Sequence, residues 1–299
     1  MTSPSEITPP DAVMSERGQL INLAYRLLGS LADAEDAVQE TYARWYAMTP
    51  QQQNDIASPG AWLTTVAGRI CLDLLRSARV RRERYVGEWI PEPVPEPTEW
   101  TATADPADRV TLDESITMAF LVLLDSMTPA ERVAFVLHDV FRYPFAEVAE
   151  VVGRTPAACR QLASSARRRV AASRLPASPP ARSSEIVRAF KDAWAAKDIA
   201  ALVGLLAPDA TATGDGGGLV TAVIRPIEGA EQIARFFADR AGAVPGLALV
   251  ERTVNGQPGL VAQQAGATMA VLAFDVADDR IQHIWTVLNP EKLRPWLPN

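Results

Sequence analysis

Apolar positions recur at three- and four-residue spacing from about residue 15 to 84 and again from about Thr111 to Arg174, so both blocks are predicted helical. A third block, from about 184 to 299, opens with the amphipathic helix pattern "EIVRAFKDAWAAKDIAALVGLL" and then changes period. Its short apolar and β-branched runs are "GLVTAVI", "LALVERTV", "LVAQQAG", "TMAVLAFDV" and "RIQHIWTVL", divided by turn signals at "NGQPG" and "ADD". They predict a curved antiparallel sheet with helices packed on it. Two stretches interrupt these blocks. "YVGEWIPEPVPEPTEWTATADPAD" carries prolines and acids that sustain neither a helix nor a core, and "LPASPPARSS" has the composition of a boundary. The expected division is a disordered N-terminus over 1–14, a helical domain over 15–84, an acidic Pro-rich linker over 85–115, a second helical domain over 116–174, a linker over 175–183 and an α+β domain over 184–299.

The second helical block has the punctuation of a helix-turn-helix. Thr128-Pro129 supplies an N-cap with proline at the first helical position, and Glu131 follows at capping-box spacing. A helix from Pro129 to about Val140 is expected, then a short one from Phe145 to Val152. Gly153 can close it in a left-handed C-cap, and Thr155-Pro156 starts the next helix. On a wheel of that last helix, Ala158, Cys159, Leu162, Ala163, Ala166 and Val170 share one side. Arg160, Gln161, Ser164, Arg167 and Arg168 share the other, where phosphates and base edges of a major groove are within reach. A solvated basic helix end is the alternative, because arginine near a C-terminus also complements the helix dipole.

In the first block, "SPGAWLTTVAGRICLDLLRSARVRRER" separates Leu63, Val66, Ala67, Ile70 and Leu74 from a stripe of Trp62, Thr65, Arg69, Asp73 and Arg76. An aromatic aligned with polar and cationic groups suits unstacked bases, and Arg79, Arg81, Arg82 and Arg84 extend the charge. A buried Trp beside an Arg69–Asp73 surface pair fits the same spacing. Upstream, "SLADAEDAVQETYARWYA" packs Leu31, Ala34, Val38, Tyr42 and Trp45, and leaves Asp33, Asp36, Gln39 and Glu40 outward. Such an acidic face repels DNA and suits a basic protein partner, or is simply solvated.

Charge changes this picture more by distribution than by sum. The 299-residue chain has a formal net charge of -7, yet residues 66–84 hold six arginines against Asp73 and Glu83, and 153–170 hold five arginines and no acid. Cys71 and Cys159 have no Cys or His at ligand spacing and read as small core residues, so neither a disulfide framework nor a metal site is expected. The acidic, proline-bearing start lacks the basic and apolar regions of a secretory signal, and no apolar run approaches a spanning length. A cytoplasmic protein without membrane association is the expectation.

"LADAEDAVQETYARWY", "AWLTTVAGRICLDLLRS" and "MTPAERVAFVLHDVFRYPFAEVAEVVGRTPAACRQLASSARRR" resemble, in that order, regions 2.2, 2.3 to 2.4 and 4 of extracytoplasmic-function (ECF) RNA polymerase sigma factors, over about residues 15–174. The resemblance implies two all-α sigma domains, the second with the helix-turn-helix. It implies docking of Asp33, Asp36, Gln39 and Glu40 on the β′ clamp helices of core polymerase, with the β flap as a further partner. Promoter DNA would be held at the −10 element by Trp62, Thr65, Arg69, Asp73, Arg76, Arg79, Arg81 and Arg82, and at the −35 element by Thr155, Arg160, Gln161, Ser164, Arg167 and Arg168. Arg69 stands where the family often has asparagine, and Ser165 where it often has arginine.

"WIPEP" at 89–93, "DGGG" at 215–218 and "NPEKL" at 289–293 resemble motifs of the ECF sub-group with a C-terminal SnoaL-like, NTF2-like cone-shaped α+β domain. Leu219 stands where that sub-group usually has a basic residue. There the last domain adjusts sigma activity in cis, which implies interdomain roles for Trp89, Pro91, Glu92, Asp215, Gly216, Gly217, Gly218, Asn289, Pro290 and Lys292. The acidic linker suits an extended path in a positively charged polymerase channel.

No catalytic residue and no cofactor are assigned. Related folds host enzymes in a pocket where His283, Trp285 and Asp215 are the candidates here, and a His–Asp pair would act as general base only if the two met. A small molecule in that pocket is a further possible partner. Two other functions compete: a ligand-responsive helix-turn-helix regulator that never binds core polymerase, and a SnoaL-like enzyme with an attached DNA-binding module. Neither needs the acidic helix at 33–45.

Overall fold

The computed structural model describes residues 14–82, 85, 87–95, 116–173, 178–220, 222 and 225–297, with side chains for all of these but 78–82. The chain forms two compact units. Of the described residues, 14–80 and 123–172 build the first, and 81–95, 116–122 and those from 173 on build the second.

The first unit is helical. Helix α1 (Arg17–Leu28) is buried from Leu20 onward and ends at Gly29, whose left-handed φ of 69° returns its N–H to the Tyr25 carbonyl. Ser30 then caps α2 (Leu31–Tyr46) by accepting from the Asp33 N–H. A capping box at Thr49 and Gln52 opens the short α3 (Pro50–Asn54), and α4 (Pro59–Arg82) follows. Helix α5 (Met118–Asp125), whose residues up to Val122 group with the second unit, leads to α6 (Pro129–Phe135), which opens on the expected Thr128–Glu131 capping box. The predicted helix to Val140 changes hydrogen bonding part-way: Val136–Val140 form a π-helical turn in which the Phe141 N–H reaches the Val136 carbonyl. Helix α7 (Phe145–Val152) stops at Gly153, with φ of 70°, and α8 (Pro156–Ser173) completes the helix-turn-helix.

In the second unit the long amphipathic pattern is split. Helix α9 (Pro180–Ala196) ends at Lys197 in the left-handed region, and the Asp198 carboxylate accepts from Ala201 N–H to start α10 (Ile199–Leu205). Among the described residues one six-stranded sheet follows, in the order β2-β1-β6-β5-β4-β3. Its strands are β1 (Leu206–Asp215), β2 (Ile227–Glu228), β3 (Leu247–Val254), β4 (Gln257–Gln264), β5 (Ala267–Ala277) and β6 (Arg280–Val287), with α11 (Ala230–Ala243) between β2 and β3.

Three expectations are corrected here. The sheet is mixed, because β1 pairs with β6 in parallel. Its first strand is "LAPDATATGD", whose Pro208 and small residues carry little β signal. Of "GLVTAVI", Gly218 to Val220 belong to a turn closed on the Gly216 carbonyl, and Thr221, Val223 and Ile224 lie outside the described residues.

Both faces of the sheet are covered. On one, α9 and α11 pack an aromatic cluster in which Phe190 meets Phe237 and Phe274 edge-on at 5.2 and 5.4 Å between ring centroids. On the other, Val261, Val271, Trp285 and Val287 are buried under Ile90, Met118 and Leu293. The segment expected to contribute nothing to a core therefore does so at 90–94, all buried. It remains non-helical, as its prolines require, and shares a hydrophobic surface that the sheet already presents.

Candidate nucleic-acid interface

Helix α8 separates its faces as the wheel demands. Cys159, Ala163, Ala166 and Val170 are buried, whereas Thr155, Arg160, Gln161, Ser164, Arg167 and Arg168 are exposed. Three contacts fix the helix on its neighbours. The Arg160 guanidinium lies 5.5 Å from the Phe145 ring centre. The Ser165 hydroxyl donates to Glu131 Oε1 at 2.8 Å, and Arg167 Nε pairs with Asp139 Oδ1 at 2.5 Å. Burial alone would raise the Glu131 pKa, but hydrogen bonds from Ser165 and Thr128 outweigh it and hold the carboxyl below the ordinary range. Glu131 thus serves both the cap of α6 and the seating of α8.

On α4 the stripe is graded. Trp62 and Thr65 are half-buried, and Arg69, Asp73 and Arg76 are exposed. Trp62 packs against buried Trp45 with ring centroids 5.3 Å apart, so part of its ring surface is already covered. The expected Arg69–Asp73 alternative is not the pairing found. Asp73 pairs with Arg76 at 3.1 Å, and Arg69 Nε and Nη2 both donate to the Glu150 carbonyl, at 3.2 and 3.0 Å. The side chains of Arg79, Arg81 and Arg82 lie outside the described residues, as does Arg84. On α2, Asp36, Gln39 and Glu40 are exposed and Asp33 is half-buried, while Ala34, Val38, Tyr42 and Trp45 form the inner side.

In the second unit, three sequence motifs meet at one carboxylate. Asp215 is wholly buried at the end of β1. Its Oδ1 accepts from Tyr85 Oη at 2.6 Å and Gly217 N–H at 2.9 Å, and its Oδ2 from Ile90 N–H at 3.0 Å and Lys292 Nζ at 2.6 Å. Its backbone carbonyl receives the N–H groups of Leu288 and Asn289. Lys292 Nζ also donates to the Ile90 carbonyl at 2.5 Å and lies 4.2 Å from the Trp89 ring centre.

Asn289 Nδ2 reaches Tyr85 Oη at 3.0 Å, and a Cβ on Gly217, at φ of 66°, would come within 2.5 Å of the Asn289 side chain. Gly216 is equally confined, a Cβ there lying 2.1 Å from the Val220 carbonyl, whereas Gly218 and Pro290 are exposed. Pro91 and Glu92 are buried in the same stretch. Further along, Val94 N–H donates to Asn255 Oδ1 at 3.2 Å and Trp296 Nε1 to the Pro93 carbonyl at 2.8 Å. Tyr85, Trp89, Ile90, Pro93 and Val94 are thus held in the second unit by backbone and side chain together.

The condition set for a His–Asp pair, that His283 and Asp215 meet, is not fulfilled. His283 is exposed, stacks on Trp285 and faces Asp275, 3.7 Å from Nδ1 to Oδ2, while Asp215 is engaged by Lys292. The register sets His283 beside Thr211 and Asp215 beside Val287, four residues along the strand. An open pocket of about 380 Å³ between Val203, Leu206, Gly229, Gln232 and Arg280 is lined by none of the three candidates. Among the described residues no group of three or more His, Cys, Asp or Glu is placed to hold a metal ion, and no helix is long and apolar enough to cross a membrane.

Residues 12–81 match the Sigma-70 region 2 family, 117–170 match Sigma-70 region 4, and 187–286 match the SnoaL-like domain. The ECF RNA polymerase sigma factor SigJ of Mycobacterium tuberculosis is 43% identical over 92% of this chain and 90% of its own length. The chain belongs to the ECF sigma factor family. A probable ECF sigma factor of the same organism, SigI, is 35% identical over 94% of this chain and 93% of its own. The crystal structure of the M. tuberculosis ECF sigma factor SigJ superposes with a TM-score of 0.74 at 37% identity, covering 96% of this chain and 99% of that one. As a sigma factor the protein binds core RNA polymerase and promoter DNA, and catalyses no reaction itself.

Several residues that shape these sigma-factor surfaces carried no signal in the sequence. Tyr85 sits outside the WIPEP motif, yet burial and its bond to Asp215 raise its phenol pKa well above the ordinary value. Asp139 reaches Arg167 from the π-helical turn, and Glu150 acts through its backbone carbonyl, which any residue type provides.

Proposed function

We propose that this sigma factor reads its promoter with two surfaces and is adjusted in cis by its SnoaL-like domain. The exposed polar side of α8, at Thr155, Arg160, Gln161, Ser164, Arg167 and Arg168, reads the −35 element as duplex. The α4 stripe from Trp62 to Arg76, continued by Arg79, Arg81 and Arg82, holds the displaced −10 strand. The acidic face of α2 docks on the β′ clamp helices and the region 4 domain on the β flap. The strap at 89–93, the DGGG turn and the NPEKL segment form the joint through which the last domain acts. The observation that carries the promoter reading is α8, where every assigned residue is exposed and the opposite side is buried against its own domain.

The test is binding of duplex −35 DNA across a salt series. Replacing Arg167 and Arg168 by alanine removes two phosphate-reaching cations, so the slope of log affinity against log salt falls by roughly 0.9 for each. An unchanged slope with a folded variant overturns the assignment of α8.

A further inference from the structure

Two arginines on the polar side of α8 are supported from beneath by their own domain. Arg160 and Arg167 are seven residues apart, which puts them on one side of the helix, two turns or about 10.5 Å from each other. The support for both starts at the π-helical turn Val136–Val140. Asp139 of that turn takes Arg167 Nε on its Oδ1 at 2.5 Å. His138, the residue before it, stacks on Phe145 with ring centroids 3.8 Å apart, and Phe145 in turn carries the Arg160 guanidinium 5.5 Å from its ring centre. The His138 ring is itself fixed, because its Nδ1–H donates to the Tyr143 carbonyl at 2.9 Å.

Neither support is what simple attraction for DNA would select. A carboxylate beside a phosphate-binding helix repels DNA. The Asp139 side chain is only 20% exposed, and its Oδ2 is buried with no hydrogen-bond partner among the described residues. What the carboxylate supplies is orientation: the bond uses Arg167 Nε, so the end of the guanidinium, Nη1 with Nη2, stays available for two parallel bonds to a phosphate. Phe145 likewise engages only the face of the Arg160 guanidinium and leaves the N–H groups in its plane. Each arginine therefore loses freedom without losing the donors that DNA needs. Among the described residues Arg168, exposed beside Arg167, makes neither contact. A side chain ordered in advance costs less entropy on binding and fixes where the helix sits on the duplex, whereas an unbraced cation adds attraction that any sequence receives.

We propose that Asp139 and Phe145 are positioning residues of the −35 interface: they act through Arg167 and Arg160, holding them in the orientations from which α8 takes its register on the duplex. Sequence discrimination then depends on two side chains outside the reading surface. The inference rests on the promoter reading of α8 given above.

The test uses the full-length protein with core polymerase and a pool of promoter-length random duplexes. The most enriched duplex, and the same duplex with its −35 element scrambled, are the probes, and the ratio of their dissociation constants is the readout. Asp139→Asn should lower that ratio by about fivefold or more, while affinity for the scrambled duplex holds or rises because a negative charge is gone. In an Arg167→Ala background the same change should leave the ratio within about a factor of two. Phe145→Leu should lower the ratio likewise, and Phe145→Tyr, which keeps the ring, should preserve it. Arg168→Ala should weaken binding of both probes alike.

An unchanged ratio in folded Asp139→Asn and Phe145→Leu proteins overturns the assignment, and so does equal tightening on both probes, which would make Asp139 no more than a repelling charge. A loss of equal size with and without Arg167 would mean that Asp139 acts through the stability of the domain, which also sinks the proposal. Should Phe145→Leu not fold, the cycle of Asp139 with Arg167 decides alone, since asparagine replaces aspartate without a change of shape. Failure of the wild-type protein to distinguish the two probes overturns the promoter reading instead.

Discussion

At the scale of single residues, the most consequential pair is Asp215 with Lys292. A carboxylate taken wholly out of water is tolerated only when its charge is matched and its lone pairs are occupied, and here Lys292, Tyr85, Ile90 and Gly217 do both. Removing one member leaves the other charge uncompensated. Lys292→Met should therefore destabilise the second unit by roughly 3–5 kcal/mol, whereas adding Asp215→Asn to it should recover a large part of that loss. Denaturant unfolding of the two single variants and the double variant measures this, and additive losses would show that the two side chains do not act as a pair. Sequence reading singled out both residues through their motifs. It left the partner of Asp215 open, naming His283 only on the condition that the two met, because alternation along a strand does not say which residue of a distant loop will arrive beside it.

At the scale of elements, Glu131 ties the start of α6 to the middle of α8. Its carboxyl titrates below the ordinary glutamate value, so on acidification the unfolded chain takes up the proton first. The stabilisation is complete above the unfolded pKa of about 4.3 and is lost as pH falls through the lower native value. Glu131→Gln should lower the melting temperature by a few degrees at pH 7, and the gap to the natural protein should narrow at pH 4. A gap that is constant with pH would mean that the lost contact is not ionic. The capping box, the Gly153 turn and both faces of α8 were legible because they depend on local geometry. The π-helical turn at Val136–Val140 was not, since its wider hydrogen bonding leaves no mark on the apolar pattern.

At the scale of the whole molecule, the acidic linker was expected to be extended and without a core of its own. Its residues 87–95 form neither helix nor strand, yet residues 90–94 are buried in the second unit. The strap supplies Ile90 to a cluster in which the sheet supplies Val261, Val271, Trp285 and Val287, and buried Val94 exchanges hydrogen bonds with Asn255 through its own backbone. Ending the chain before Pro179 removes that sheet and leaves Ile90, Val94 and Met118 without their partners. The shortened protein should be cleaved by protease between Tyr85 and Pro95 at least tenfold faster than the full chain. Its run-off activity should change in amount while the set of promoters used stays the same. Unaltered cleavage and activity would remove the basis for regulation in cis.

Periodicity, caps and charge placement were sufficient for the helical blocks, the helix-turn-helix and the outward faces of α2 and α8, because each is decided within a few turns of chain. The motif resemblance carried the family. Long-range pairing belonged to the tertiary structure: the parallel union of β1 with β6, the approach of Gly68 to Val151, the arrival of Lys292 at Asp215 and the capture of Arg69 by a backbone carbonyl. Such contacts join residues many tens of positions apart through shape and backbone groups. Neither leaves a pattern in the order of side chains.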